Sequence, residues 1–269
     1  MMSTNYVHGY EGRENIRLYD QASTLVELLH ADTQYKPGSK VLEAGCGVGA
    51  QTVILAHHSP DANFTAIDIS QSSIREAEEK VKKAGFSNVE FLQADIFDLQ
   101  FWEEAFDHIF VCFILEHVSN PVSALLSLKK HLKIGGTITV IEGDHGSTHF
   151  YPHNESSYKA INCQVELQRR SGGNANIGRE LHPLLTKAGY ESIKVSPRMV
   201  YVDSSKPQLV EGFIRNTFTA MIKGVRDASL KQGLIDELTF DEGIRGLYRT
   251  AEDDGVFSYT FYKAIAARH

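Results

Sequence analysis

The stretch Val41-Leu42-Glu43-Ala44-Gly45-Cys46-Gly47-Val48-Gly49 carries the residues best suited to chemistry. A short apolar run ends in a carboxylate, and three alternate glycines follow it. Glycines spaced in this way let the chain turn sharply from a strand into a helix and leave bare peptide for a ligand to lie against. Two acidic strand ends come next, Asp68 in Ala66-Ile67-Asp68-Ile69 and Asp95 in Leu92-Gln93-Ala94-Asp95-Ile96-Phe97. Asp68 stands about twenty residues beyond the glycine turn, where an open parallel sheet offers a carboxylate to ribose hydroxyls. Its alternative role is to cap the helix that follows. A pyrophosphate loop reads Gly-x-Gly-x-x-Gly, whereas the third glycine here comes one residue early and Glu43 would repel a phosphate.

Further candidates lie downstream. Glu142-Gly143-Asp144-His145 follows an apolar run, so Asp144 or His145 is placed either to take a proton from a substrate or, in the case of Asp144, to cap the next turn. His145, His149 and His153 have the spacing of zinc ligands on one helix face. Gly146, Ser147 and Pro152 oppose such a helix, and the expected number of metal sites is none. Arg179 is placed either to bind an acidic substrate group or to pair with Glu180. Ahead of the glycine turn, Tyr6, His8, Tyr10 and Tyr19 alternate with Arg13 and Arg17, and a helix through Ile16, Leu25 and Leu29 would carry some of them over a ligand.

The elements that must position these residues are legible between about 40 and 144, where strand-like and helix-like segments alternate as in a parallel sheet covered on both faces. Residues 71–84 are the clearest helix: Ile74, Ala77, Val81 and Ala84 repeat at helical spacing, with Glu76/Lys80, Glu78/Lys82 and Glu79/Lys83 as outer pairs. Ser70 or Ser73 caps its start and Gly85 its end. A second helix opens on Asn120-Pro121 and closes on Lys129, Lys130 and His131. After Asp144 the rhythm breaks. Residues 145–178 are expected to form an insertion with a helix through 158–170, 178–190 a further helix, 191–202 a strand, 203–254 a mainly helical stretch and 256–266 the last strand.

Taken together, the glycine turn, Asp68, Asp95, the strand Phe106-Asp107-His108-Ile109-Phe110-Val111-Cys112-Phe113, the loop Leu115-Glu116-His117-Val118 and the Leu132-Lys133-Ile134-Gly135-Gly136 turn resemble the class I S-adenosylmethionine-dependent methyltransferases. The ubiquinone/menaquinone and small-metabolite subgroups are nearest. Ile134 stands where that family usually has proline, and the two glycines still permit the turn. The resemblance implies an α/β, Rossmann-like, seven-stranded and mostly parallel sheet with helices on both faces, and a small helical cap built from insertions. Its last strand would enter antiparallel between its neighbours. It further implies S-adenosyl-L-methionine as cofactor. Asp68 would take the ribose hydroxyls and Ile69 would pack on adenine. Asp95 and the backbone of Ile96 would meet the base, Gly45 and Gly47 would lie under the ligand, and Glu43 would sit near its methionine end. Phe113 would contribute through its backbone. His117, with Asp144 and His145, is the candidate catalytic set. The implied domain scheme is a lid at 1–36, cofactor-binding core at 37–144, cap at 145–180, core at 181–202, cap at 203–254 and last strand at 255–269.

Composition agrees with an enzyme acting on a small molecule. The chain has 269 residues, a hydrophobic content of 42% and a net charge of −7, which leaves no broad basic surface for nucleic acid. Three separated cysteines describe no disulfide framework and suit a reducing cytoplasm. No apolar run approaches the ~20 residues of a membrane span. The expected reaction is methyl transfer to an oxygen, nitrogen, carbon or sulfur acceptor, with aminopropyl transfer or non-catalytic cofactor binding as the alternatives.

Overall fold

Strand alternation makes the two faces of the sheet chemically different. A computed structural model describes residues 24–269, so the amino-terminal tyrosines, arginines and Ile16 singled out above lie outside the described residues. The sheet has seven strands: Lys40–Ala44 (β1), Asn63–Asp68 (β2), Val89–Gln93 (β3), Phe106–Cys112 (β4), Leu132–Tyr151 (β5), Glu191–Val202 (β6) and Val256–Ala267 (β7), in the order β3-β2-β1-β4-β5-β7-β6. β1 runs parallel to β2 and β4, β2 to β3, and β4 to β5. Gly135 N donates to Arg268 O and Arg268 N to Gly136 O, while Thr260 N donates to Ser147 Oγ. Rising numbers on β5 thus meet falling numbers on β7, which is the antiparallel insertion.

The helices are Val26–His30 (α1), Ala50–His58 (α2), Gln71–Lys83 (α3), Pro121–His131 (α4), Glu155–Arg170 (α5) and Leu181–Lys187 (α6). A helical run follows, of Pro207–Leu209 (α7), the wider π-type turns of Val210–Thr219, and Ala220–Gly224 (α8), then Arg226–Lys231 (α9) and Glu237–Arg249 (α10). Caps fall where side-chain chemistry puts them: Ser70 accepts from Ser73 N, and Asn120 accepts from Ser123 N ahead of Pro121.

The described chain divides into two compact units. One comprises Val26–Glu142, Ile177–Arg198 and Tyr262–His269. In it Leu42, Ala44, Ile67, Ile109, Val111, Ile138 and Val140 share one sheet face and pack with Leu125, Leu128, Leu181 and Leu185 as an apolar core. The opposite face, read from the register, carries Glu43, Phe110 and Thr139 side by side, with His108 and Thr137 next along. It is closed by polar as well as apolar groups: Lys263 donates to Leu29 O, Asp32 and Thr33, and His30 is buried with them. The other unit comprises Thr24 and Leu25, Gly143–Asn176 and Met199–Phe261, and has an aromatic core of Phe213, Phe218, Phe257, Tyr259 and Phe261.

Two differences from the sequence reading follow. β5 does not stop near Asp144 but runs on to Tyr151, because Ser147 and His149 still pair with β7. Residues 26–36, grouped with a lid from sequence, belong with the sheet through buried Leu29 and Tyr35.

Candidate functional site

At the end of β1 the backbone turns through Gly45, Gly47 and Gly49, all at positive φ (81°, 51° and 78°). The three glycines have different reasons. A Cβ on Gly49 would stand 2.9 Å from the Ala77 backbone, so this glycine lets α2 approach α3. A Cβ on Gly45 would collide with the Ile114 side chain. On Gly47 it would meet no atom of the described residues within 4 Å, so among them the peptide here faces open space. Gly45 N and Cys46 N both donate to Ile67 O, which pins the turn to β2.

Asp68 braces the same turn: Oδ2 accepts from Gly47 N at 2.9 Å and Oδ1 from Ser70 N at 2.8 Å. It is therefore both a tether for the helix start and a carboxylate at the strand end. A carboxylate has about four lone-pair directions, and two remain for a diol. Burial pushes its pKa above the usual range. Ile69, next in line, is 46% exposed although apolar, and Gln93, which the sequence reading passed over, donates to Ile69 O at 2.9 Å. Asp95 Oδ1 accepts from Phe97 N and shapes a tight turn that leaves Phe97 exposed, while Ile96 packs onto the core. Two exposed apolar side chains beside two carboxylates suit a flat base with a hydroxylated sugar.

Glu43 is 2% exposed, its Oε2 has no hydrogen-bond partner among the described residues, and burial pushes its pKa up to about 7. A buried carboxylate oxygen without a partner is costly unless a donor or a cation meets it.

Phe113, just past β4, sits at φ 56° with its N donating to Ile141 O. This left-handed backbone costs a bulky residue roughly 1–3 kcal/mol. It starts the loop Leu115–His117, a single 3-10 turn whose first amides are held by Glu142. Glu142 Oε1 accepts from Ile114 N at 3.0 Å and Leu115 N at 2.7 Å. Sequence reasoning missed this role. The available signal was a lone acid after the apolar run 137–141. His117 Nε2 is 3.3 Å from Glu116 Oε1.

The eight sequence-predicted cofactor residues, Glu43, Gly45, Gly47, Asp68, Ile69, Asp95, Ile96 and Phe113, all fall in the first unit at the carboxyl ends of β1 to β4, and His117 lies with them. Asp144 and His145 fall in the second unit. Asp144 Oδ1 accepts from Gly146 N, which is the turn-capping role. His145 is buried, with Nδ1 3.1 Å from Ala175 O and 3.1 Å from the Tyr259 hydroxyl. A carbonyl only accepts, so Nδ1 carries a proton in this contact. The three histidines do not form a helical ligand set: His145 and His149 lie on a strand, one buried and the other exposed. No group of three or more potential metal ligands occurs among the described residues. Arg179 is exposed on the turn before α6, and no helix among the described residues is long and apolar enough to cross a membrane.

Comparison with known proteins is consistent with this geometry. A methyltransferase-domain model matches residues 35–189, more than half of the chain. Demethylmenaquinone methyltransferase of Staphylococcus carnosus is 30% identical over 142 residues, covering 52% of this chain and 56% of the relative. The chain spans about half the length of several curated relatives it matches. Among solved structures, Haemonchus contortus phosphoethanolamine N-methyltransferase 2, in complex with phosphomonomethylethanolamine and S-adenosylhomocysteine, matches with a TM-score of 0.57 at 17% identity, covering 93% of this chain and 52% of that one. The cyclase SpnF matches with a TM-score of 0.56 at 18% identity, covering 93% and 80%. These structural likenesses concern the fold.

Proposed function

Because the chain belongs to the methyltransferase-domain family, we propose that it transfers the methyl group of S-adenosylmethionine to a small-molecule acceptor. S-adenosylmethionine is the cofactor, and when bound it supplies a methyl group on a positively charged sulfur. The observation that carries this reading is the pairing, among the described residues, of open space over Gly47 with the buried Oε2 of Glu43 that has no hydrogen-bond partner there. A buried carboxylate repels a dinucleotide's pyrophosphate, but it gives a partner to the ammonium of a methionine moiety.

In this reading Asp68 holds the ribose through its two remaining lone-pair directions, Ile69 and Phe97 cover the adenine, and Asp95 with the Ile96 backbone fixes its edge. Gly45 and Gly47 give the ligand its approach, and Phe113 offers backbone groups from a conformation that the Glu142-held loop maintains. The protein's part in catalysis is chiefly orientation and exclusion of water, which together account for several kcal/mol of such a barrier. Asp144 holds a turn and His145 anchors Tyr259. The acceptor is a small molecule rather than nucleic acid, in keeping with a net charge of −7.

Calorimetry with S-adenosylhomocysteine and with NAD, followed by transfer assays with methyl-labelled cofactor, tests this. Binding of the former alone, with label passing to an acceptor, is the expected result. Turnover only with the decarboxylated cofactor would assign aminopropyl transfer instead. Tight binding with no transfer to any acceptor would make this a binding protein.

A further inference from the structure

Every element packed around Glu43 presents it with a neutral group or with another acid. Along the sheet it stands between Ala66 of β2 and Phe110 of β4. From α2 comes Thr52, wholly buried, and from the segment ahead of β1 comes buried Tyr35, which lies beside Thr139 of β5 and whose phenol burial keeps protonated. The thiols of Cys46 and Cys112, both in its field, are held protonated by burial too. The one charged group that bears on Glu43 among the described residues is Asp68, a second acid. The basic side chains of this face are engaged elsewhere. Lys263 is held by Asp32, Thr33 and Leu29 O, His30 meets Gln51, and His108 lies against the Tyr35 ring at 5.0 Å. A carboxylate enclosed in this way, with Oε2 lacking a hydrogen-bond partner among the described residues, is far less favourable than the acid.

Resting on the methyltransferase reading, we infer that Glu43 exchanges its proton for the ammonium of the cofactor and so selects ligands that keep their amino-acid end. As the ammonium enters, the O–H bond of the carboxyl breaks, the electron pair stays on oxygen and the proton leaves to solvent. The carboxyl is neutral before binding, and the ion pair that replaces it is neutral as well. A ligand without the ammonium would enclose Glu43 with no cation beside it, so it binds best to the acid form. Methylated and demethylated cofactor both carry the ammonium and are treated alike. What is disfavoured as pH rises is an adenosine thioether that has lost its amino acid. With Glu43 pushed up to about 7 in the free protein, affinity for an ammonium-bearing ligand gains about tenfold between pH 6 and pH 8, since protons compete with it below 7. His30, lowered to about 4, stays neutral over that range and adds nothing.

The test is calorimetry on the full chain at pH 6 and pH 8, in buffers of different ionisation enthalpy, with S-adenosylhomocysteine and with 5′-methylthioadenosine, which lacks the amino acid. S-adenosylhomocysteine should release about one proton at pH 6 and little at pH 8, and should bind about tenfold tighter at pH 8. 5′-Methylthioadenosine should release none and bind no tighter as pH rises. Glu43→Gln should abolish the release and flatten the pH dependence for S-adenosylhomocysteine. Should that variant fail to fold, difference infrared spectra of the parent chain at pH 6 decide instead, by loss of a protonated-carboxyl band on binding S-adenosylhomocysteine. The inference is overturned if S-adenosylhomocysteine binds at pH 6 without releasing a proton or losing that band, if 5′-methylthioadenosine releases as much, or if folded Glu43→Gln still releases one. Failure of both ligands to bind would instead reject the methyltransferase reading.

Discussion

Asp68 holds Gly47 N and Ser70 N, and in the proposed function it also accepts a diol. Its replacement by alanine therefore removes charge-assisted contacts worth ~1.5–3 kcal/mol each. Asp68→Ala should lower the affinity for S-adenosylhomocysteine at least tenfold, since ~1.4 kcal/mol is one decade. An unchanged Kd in a folded variant would remove Asp68 from the site. Two buried groups set opposed pH dependences. Glu43 titrates at about 7 when folded, because it is buried, against an ordinary 4.5, so the folded form keeps a proton that the unfolded chain loses. That stability is full below 4.5 and disappears as pH rises through about 7. His30, whose pKa burial lowers from 6.5 to about 4, works the other way: its contribution is present above 6.5 and is lost as pH falls through about 4. Each is worth at most about 3 kcal/mol. In the absence of ligand, Glu43→Gln should leave the His30 slope exposed, so that stability rises between pH 4.5 and 6.5 and no longer declines from 6.5 to 8. Urea unfolding at pH 5, 6.5 and 8 decides the matter, and parallel curves for variant and parent would contradict the assignment.

Among the elements, the packing of α2 on α3 depends on a single missing methyl group. Gly49 and Gly38 share φ 78°, but a Cβ on Gly49 would press on the Ala77 backbone at 2.9 Å whereas one on Gly38 meets nothing within 4 Å. Alanine at either site incurs the left-handed penalty of about 1 kcal/mol. Gly49→Ala adds overpacking of roughly 1–3 kcal/mol, since backbone cannot swing aside as a side chain can. The expected gap between the two variants in chemical denaturation is at least about 1 kcal/mol, and equal losses would mean that the glycine serves the turn alone. The same comparison explains how much of this site was legible. The turn that Gly45, Gly47 and Gly49 allow, the bond of Asp68 to Ser70 N and the caps at Ser70 and Asn120 involve backbone within a few residues, so their types reveal those tasks, whereas the reach of Asp68 to Gly47 N and of Gly49 to Ala77 was not legible. Glu142 reaches amides nearly thirty residues away, and although an acid after an apolar run marks the position, nothing in its neighbours tells which amides it meets.

For the whole molecule, ligand binding is linked to stability. A ligand that binds only the folded chain stabilises it by RT ln(1 + [L]/Kd), about 2.7 kcal/mol at a hundredfold excess over Kd. S-adenosylhomocysteine at that ratio should raise Tm by several degrees. Hydrogen exchange should slow in residues 43–49, 67–70 and 93–97, which all belong to the unit holding β1 to β4. A rise in Tm with protection elsewhere and none at the glycine turn would relocate the site. The two faces of the sheet in that unit also differ in kind. One is a continuous apolar core, whereas the other sets Glu43, His108, Thr137 and Thr139 opposite His30, Tyr35 and Lys263.

What the sequence determined by itself is the alternation of strands and helices from 40 to 144, the strand-turn-helix at Gly45–Gly49, the acid at the end of each of the next two strands, and the extents of β6 and β7 to within a residue or so. These follow from side-chain period, caps and glycine conformations, forces that act over a turn or a strand. Tertiary structure alone decided the continuation of β5 to Tyr151, the wedging of β7 between β5 and β6, and the hold of Glu142 on the loop after β4. His145 was placed against Tyr259, more than a hundred residues away in sequence, in the same way. Such pairings are chosen by which distant surfaces complete each other's hydrogen bonds and bury each other's apolar area, and no local pattern of residues encodes that choice.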